Sequence, residues 1–326
     1  MKEFIFSFIA NCLNTDHLCN YCNSIILHPF YHTITDNYLP HIYPLYKPKS
    51  FKSFKEDIDY LSSHFRAVDS TTVFSYTQEE KNLKETVFHL SFDDGLREVY
   101  LSVLPFLYQK GIPATIFINK DFVDNQKLFY RHKAALIVDA LVNRKNISDN
   151  QKKEIECLLD NSQQKGTMLS KILSVKYSQS TLFDKMALIL ELDFEDYLKH
   201  QQPYLTTEEL KEMQKKGFTI GAHSVDHPFF PELTPQEQIC QILDSVSYVN
   251  EVFGEVHSYF SFPFSDDGIA QSVFQSIYKK VDLTFGIGGI YVWNEGKHVG
   301  RIDMEKYGKD AKEAINKAIM KYIIKR

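Results

Sequence analysis

Short apolar runs alternate with longer stretches of helical period along most of the chain, and Gly, Pro and Asp mark the junctions. Residues 87–92 form one compact run ending in Asp93-Asp94-Gly95. Val99, Val103, Phe106 and Leu107 follow at helical spacing until Gly111, and 114–118 is a second run. Strand, loop, helix, Gly turn, strand is the repeating unit of a parallel sheet covered by helices. The unit returns later. Thr206 with Glu209 reads as a capping box opening a helix that ends at Lys216-Gly217, before a strand at 218–221. Thr234-Pro235 opens another helix to Phe253-Gly254, before an extended segment at 259–262. Asp267 is placed to cap a helix over 269–279, 283–285 reads as a strand, and 309–324 as a closing amphipathic helix. Upstream, 25–32 reads as a barrel strand with polar residues at its C-terminal end, and 54–65 as a helix. Pro40, Pro44 and Pro48 make the segment between them a loop.

Residues 126–202 break the alternation. They show helical periods at 134–141, 152–159 and 182–192 and no convincing strand. The pattern predicts one α/β domain over 1–326, a β/α barrel, with 126–202 as a largely helical insertion in a loop on one face. Setting that segment aside leaves about the length of a single α/β barrel, roughly 250 residues.

Composition sharpens this picture in three ways. The 326 residues include 25 Phe and 19 Tyr but one Trp, enough ring area for a sizeable core and for clefts lined by aromatic side chains. A net charge of -5, from 37 basic and 42 acidic residues, gives no electrostatic footprint for a nucleic acid backbone. The five cysteines, Cys12, Cys19, Cys22, Cys157 and Cys240, are odd in number, and the one C-x-x-C pair has no second pair to complete a zinc site, so reduced thiols are expected. The apolar stretch at 4–13 is too short for a transmembrane span and lacks the flanks of an export signal. It reads as a short amphipathic helix packed on the domain, and the expected compartment is the cytoplasm.

Two motifs carry chemistry. Asp93 and Asp94 sit where an apolar strand bends into a Gly turn, a place from which both carboxylates can reach one pocket. Adjacent carboxylates repel, and the conflict is relieved when one binds a cation and the other handles a proton. Capping of the following helix is the plainer reading of the pair taken alone. The second motif is His223-Ser-Val-Asp-His227, again just past a strand, with Pro228 disfavouring helix at His227. One carboxylate and two imidazoles make a facial ligand group for a divalent metal, with positions open for water and substrate. Two surface histidines placed by accident are the alternative, weakened by both motifs falling at strand ends of one α/β chain.

On these residues the sequence resembles the NodB-homology polysaccharide deacetylases, carbohydrate esterase family 4. Ser91-Phe92-Asp93-Asp94-Gly95 matches the first motif of that family and His223 through His227 the second, within a resemblance spanning 25–304. The resemblance implies a distorted (β/α) barrel of fewer than eight regular units. It implies that Asp94, His223 and His227 hold Zn²⁺, or another divalent metal such as Ni²⁺ or Co²⁺, with Asp93 as general base. The third motif has Arg-x-Pro-Tyr, and the matching stretch here is Ser261-Phe262-Pro263-Phe264, so the Arg that steadies the base is replaced by Ser261. The Phe264 N–H still stands where the family has its oxyanion donor, and Pro263 beside it is taken as a substrate contact. Asp266-Asp267-Gly268 is a second Asp-Asp-Gly, read as a turn and helix cap. For the family's apolar Trp patch the only candidate is Trp293. For the acid of its Leu-x-His motif the region reads His298-Val-Gly-Arg301, with His298 as a displaced acid or Arg301 as a charge-stabilising substrate contact. His32 reads as a structural residue near the same mouth.

The activity implied is hydrolysis of an N-acetyl, or O-acetyl, group on an amino sugar or polysaccharide precursor, with a water at the metal as nucleophile. An acetylated carbohydrate is the expected partner, with peripheral contact to a lipid-linked sugar. The rivals are a catalytically impaired homologue that binds glycan without turnover, and a metal-dependent amidase of non-sugar substrates.

Overall fold

The structure is a computed structural model and describes residues 2–22, 24–78, 83–159, 166–306 and 308–325. Its strands in chain order are β1 (Ile26–Leu27), β2 (Pro29–Tyr31), β3 (Arg66–Ala67), β4 (Val87–Phe88), β5 (Leu90–Phe92), β6 (Ala114–Ile118), β7 (Thr219–Ala222), β8 (Tyr259–Ser261), β9 (Leu283–Ile287), β10 (Val292–Trp293) and β11 (His298–Asp303). Parallel pairing runs β2-β5-β6-β7-β8-β9, and β11 pairs in parallel with both ends, matching Arg301 to Ile287 of β9 and Asp303 to Phe30 of β2. The result is a closed barrel of seven parallel strands, the distorted (β/α) barrel of the sequence reading. β10 runs antiparallel against β11.

The runs at 25–32 and 87–92 are each two strands instead of one. β1 and β4 pair in a small separate sheet with β3, while β2 and β5 join the barrel. The breaks fall at His28 and His89, both buried, whose Nδ1 atoms face each other at 3.4 Å, while His89 Nε2 meets Thr115 Oγ1 at 2.8 Å. Burial lowers the pKa of His89 to about 3, with the Arg301 guanidinium acting in the same direction, so the pair is neutral inside the barrel.

Helix ends follow their sequence signals. Thr206 and Thr234 each form a full capping box, with Glu209 and Glu237 returning the bond, and Gly111 and Gly254 close their helices at φ 65° and 61°. Asp267 is the exception. The helix after it starts later, at Gln271–Ile277, with Ala270 as its uncapped N-cap, because the Asp266-Asp267 loop is bound to β9 and the segment beyond it. Helices Tyr130–Asn143, Asp149–Leu159, Met168–Leu173, Thr181–Ile189 and Phe194–Gln201 gather about an apolar cluster of their own that includes Ile137, Ile155 and Phe183. Of the segment 126–202, residues 160–165 lie outside the described residues.

Helix Lys2–Cys12 lies against Ala311–Lys325, where Asn316 Nδ2 donates to the carbonyls of Ala10 at 2.8 Å and Leu13 at 3.2 Å. The five cysteines form no disulfide, and burial raises the Cys19 thiol to about 11. Among the described residues no helix is long and apolar enough to cross a membrane.

Candidate metal and catalytic centre

The C-terminal ends of β2, β5, β7, β8 and β11 surround a cavity of about 520 Å³ lined by Asp93, Asp94, His223, His227, Phe264 and His32 among others. The backbone bends sharply to bring these groups together. Asp94, Ser224, His227 and Phe264 all lie at positive φ, between 58° and 73°. Such conformations cost of order 1–3 kcal/mol each outside glycine, and their clustering marks a site whose geometry the surrounding fold enforces.

Asp94 Oδ1 stands 3.5 Å from His223 Nε2 and 3.2 Å from His227 Nε2, with all three residues buried. His223 Nδ1 lies 2.8 Å from the Ser261 carbonyl, which accepts its proton and leaves Nε2 as a bare lone pair turned inward. Asp94 Oδ1 is a buried oxygen without a hydrogen-bond donor among the described residues. Converging acceptors with no donor between them are unfavourable unless a cation joins them, and one carboxylate with two imidazoles suits a divalent transition metal. The residues fit the implied metal.

Asp93 is held differently. Arg301 Nη1 donates to its Oδ1 at 2.8 Å and Nη2 to its Oδ2 at 2.7 Å, a bidentate pair that is wholly buried. The guanidinium also donates to Ser261 Oγ at 2.6 Å and Ser91 Oγ at 3.2 Å, and lies 4.2 Å from the centre of the Phe30 ring. Burial pushes the Asp93 carboxyl up, but Arg301, then His223, outweigh it and hold it below the ordinary carboxylate range. Asp93 is therefore an anion beside the metal ligands.

The expectation of Arg301 as a substrate contact is thus corrected: it is buried as the ion-pair partner of Asp93. It fills from β11 the place left by Ser261, whose hydroxyl now accepts from it. His298 is corrected as well. Alternate residues of a strand face opposite sides, so Arg301 pointing into the barrel sends His298 outward. There it is fully buried against Phe274, with Nε2 bonded to Asp266 at 3.0 Å and Nδ1 to Thr284 at 2.8 Å. Trp293 also lies away from the cavity, on β10, stacked on Tyr291 at 4.5 Å and lining a separate cavity of about 620 Å³. Pro263 is buried at the bend and stands off the cavity wall. Phe264 does line it, its ring 4.6 Å from that of His227, and its N–H has no acceptor among the described residues.

His32, expected to be only structural, and Glu305, which the sequence did not single out, both belong to the cavity. His32, after β2, lines the cavity, and its Nδ1 is 2.5 Å from Glu305 Oε2, after β11. Burial lowers its pKa, but the Glu305 carboxylate and the neighbouring Asp94 and Asp93 raise it further, to about 10, so it is an imidazolium at neutral pH. Glu305 is brought beside it by the closure of β11 on β2, a pairing with no local trace in the sequence.

The sequence profile described as polysaccharide deacetylase matches residues 80–286, which span Asp93, Asp94 and both histidines. The chain belongs to the polysaccharide deacetylase family. A stretch of 60 residues is 35% identical to YxkH of Bacillus subtilis (strain 168), covering 18% of this chain and only 22% of that protein's length. Among solved structures, the deacetylase PplD of Streptococcus pyogenes aligns with a TM-score of 0.58 at 13% identity, over 90% of this chain and 97% of its own. IcaB from Ammonifex degensii aligns at 0.54 and 15%, over 90% and 97%. At these identities the likeness is one of fold, and it extends the polysaccharide deacetylase fold well beyond the residues of the profile. Arg301, His32 and Glu305 are not among the residues that the profile matches.

Proposed function

We propose that this polysaccharide deacetylase is metal-dependent and hydrolyses the N-acetyl group of an amino sugar in a carbohydrate or carbohydrate precursor. The observation that carries this reading is the buried Asp93–Arg301 pair directly beside the three converging acceptors of Asp94, His223 and His227. Those three would hold the cation, which when bound polarises the acetyl carbonyl and acidifies water. Asp93, kept ionised by Arg301, takes the proton from the attacking water. The free Phe264 N–H donates to the oxygen that becomes negative as the carbonyl is attacked. His32, held by Glu305, hands a proton to the departing amine, the role that the sequence reading gave to His298. The exposed faces of Phe264 and Phe229, 5.8 Å apart, offer an apolar wall for the acetyl methyl or a sugar ring.

The missing motif Arg and Leu-x-His residues speak for glycan binding without turnover; the support that Arg301 gives Asp93, and His32 as a candidate acid in the cavity, speak for turnover. Asp93→Asn is expected to lower acetate release from the best acetylated amino sugar by about 10³-fold while the bound metal, measured by plasma emission, stays at one equivalent. Full activity in that variant would sink the reading. Turnover of simple amides in preference to acetylated sugars would favour the amidase alternative.

A further inference from the structure

The cavity is lopsided in charge. Apart from the metal ligands, each carboxylate that lines it has a cation of its own: Asp93 has Arg301, Glu305 has His32, and Asp303 has Lys306 at 3.5 Å. Two cations in the cavity wall have no such partner among the described residues, Lys47 and Arg131. Arg131 is anchored by Nη1 donating to the Leu173 carbonyl at 2.5 Å, which fixes its position without neutralising it. This surplus stands out in a chain of net charge -5.

Helix Tyr130–Asn143 starts at that wall. Its N-cap, Phe129, has no side-chain oxygen to give and packs on His227 at 4.5 Å, and the first turn holds no acid. The partial positive charge of a helix start therefore adds to Arg131 where most helices place a carboxylate. A dianionic group with several acceptor oxygens answers two cations together, which a single carboxylate does less completely.

We infer that the sugar this enzyme deacetylates is carried on a phosphate, and that Lys47 and Arg131 bind that phosphate. The inference rests on the deacetylase reading and narrows its substrate class to sugar phosphates, whether free, nucleotide-linked or lipid-linked.

The test gives metal-loaded enzyme four donors of the same acetylated sugar: its 1-phosphate, its nucleoside diphosphate, its short-chain polyprenyl diphosphate in detergent, and its neutral methyl glycoside. The phosphate-bearing donors are expected to exceed the glycoside in kcat/KM by about a hundredfold, roughly tenfold for each charged contact. Their order among themselves identifies the source. Lys47→Gln and Arg131→Gln should each reduce the preference about tenfold. Thermal melting checks that Arg131→Gln folds, and Lys47 is exposed, so its variant tests the idea without that concern. Calorimetric titration of the sugar 1-phosphate into Asp93→Asn and Asp93→Asn/Lys47→Gln reads binding without turnover. Equal kcat/KM for charged and neutral donors, a stronger preference for a uronic acid than for a phosphate, or titrations indifferent to Lys47 would each overturn the inference. Failure to deacetylate any of the donors would count against the proposed function, while the titration still decides this one.

Discussion

Arg301 shows how a charge requirement can be met from an unexpected place. A carboxylate buried at 2% exposure needs a counter-charge, and the fold supplies it from a strand 208 residues further along the chain. Arg301→Met is expected to destabilise the protein by about 3–5 kcal/mol in urea unfolding, since it leaves Asp93 charged, buried and alone. Asp93→Asn added to it should restore part of that loss, the signature of a coupled pair. Asp94, His223, His227 and Asp93 were legible from spacing because each motif is local. The role of Arg301 was not, since only the register of β11 against β9 shows which way its side chain points. The exchange of His298 for His32 has the same origin and its own test. His32→Gln should lower kcat by about 10²-fold or more, and His298→Gln should change the unfolding midpoint while kcat stays within about twofold of wild type.

At the scale of elements, local grammar located most strands and helices and missed how they join. The capping boxes at Thr206 and Thr234 and the glycine stops at Gly111 and Gly254 are written in adjacent residues. The segment 298–303 has no such punctuation, and its polar His, Arg and Asp disguise a fully buried strand. The second Asp-Asp-Gly was read as a turn with a cap, whereas Asp266 ties its loop to three partners: the Ile287 N–H at 2.8 Å, the Tyr291 hydroxyl at 2.5 Å and His298 at 3.0 Å. Burial raises the Asp266 pKa, but the bonds from His298 and Tyr291 bring it down to about 2. A carboxyl whose folded pKa is depressed gives stability that is complete above its unfolded value of 3.8 and disappears as pH falls through about 2. Asp266→Asn should therefore lower the unfolding free energy by about 1–3 kcal/mol at pH 6, and the deficit should shrink as pH approaches 2.

Across the whole molecule, the aromatic surplus divides by location. Phe264 lines the cavity and Phe229 packs against it, Phe230 is wholly in the core, and Trp293 belongs to a separate cavity. Stability should depend on the cation. Metal binding to the folded chain alone adds about 2.7 kcal/mol at a free concentration one hundred times its dissociation constant. Zn²⁺ is thus expected to raise the melting temperature and a chelator to reverse it, and His223→Ala should abolish both responses in a scanning calorimeter.

The seam of the barrel has a temporal meaning. The three candidate metal ligands lie between residues 94 and 227, whereas Arg301 and Glu305 come with the strand that seals the ring between β9 and β2. A chain halted before that last strand would present the ligands without the counter-charge of the base or the tether of the acid. On the proposed mechanism, chemical competence coincides with the closure of β11 between β9 and β2.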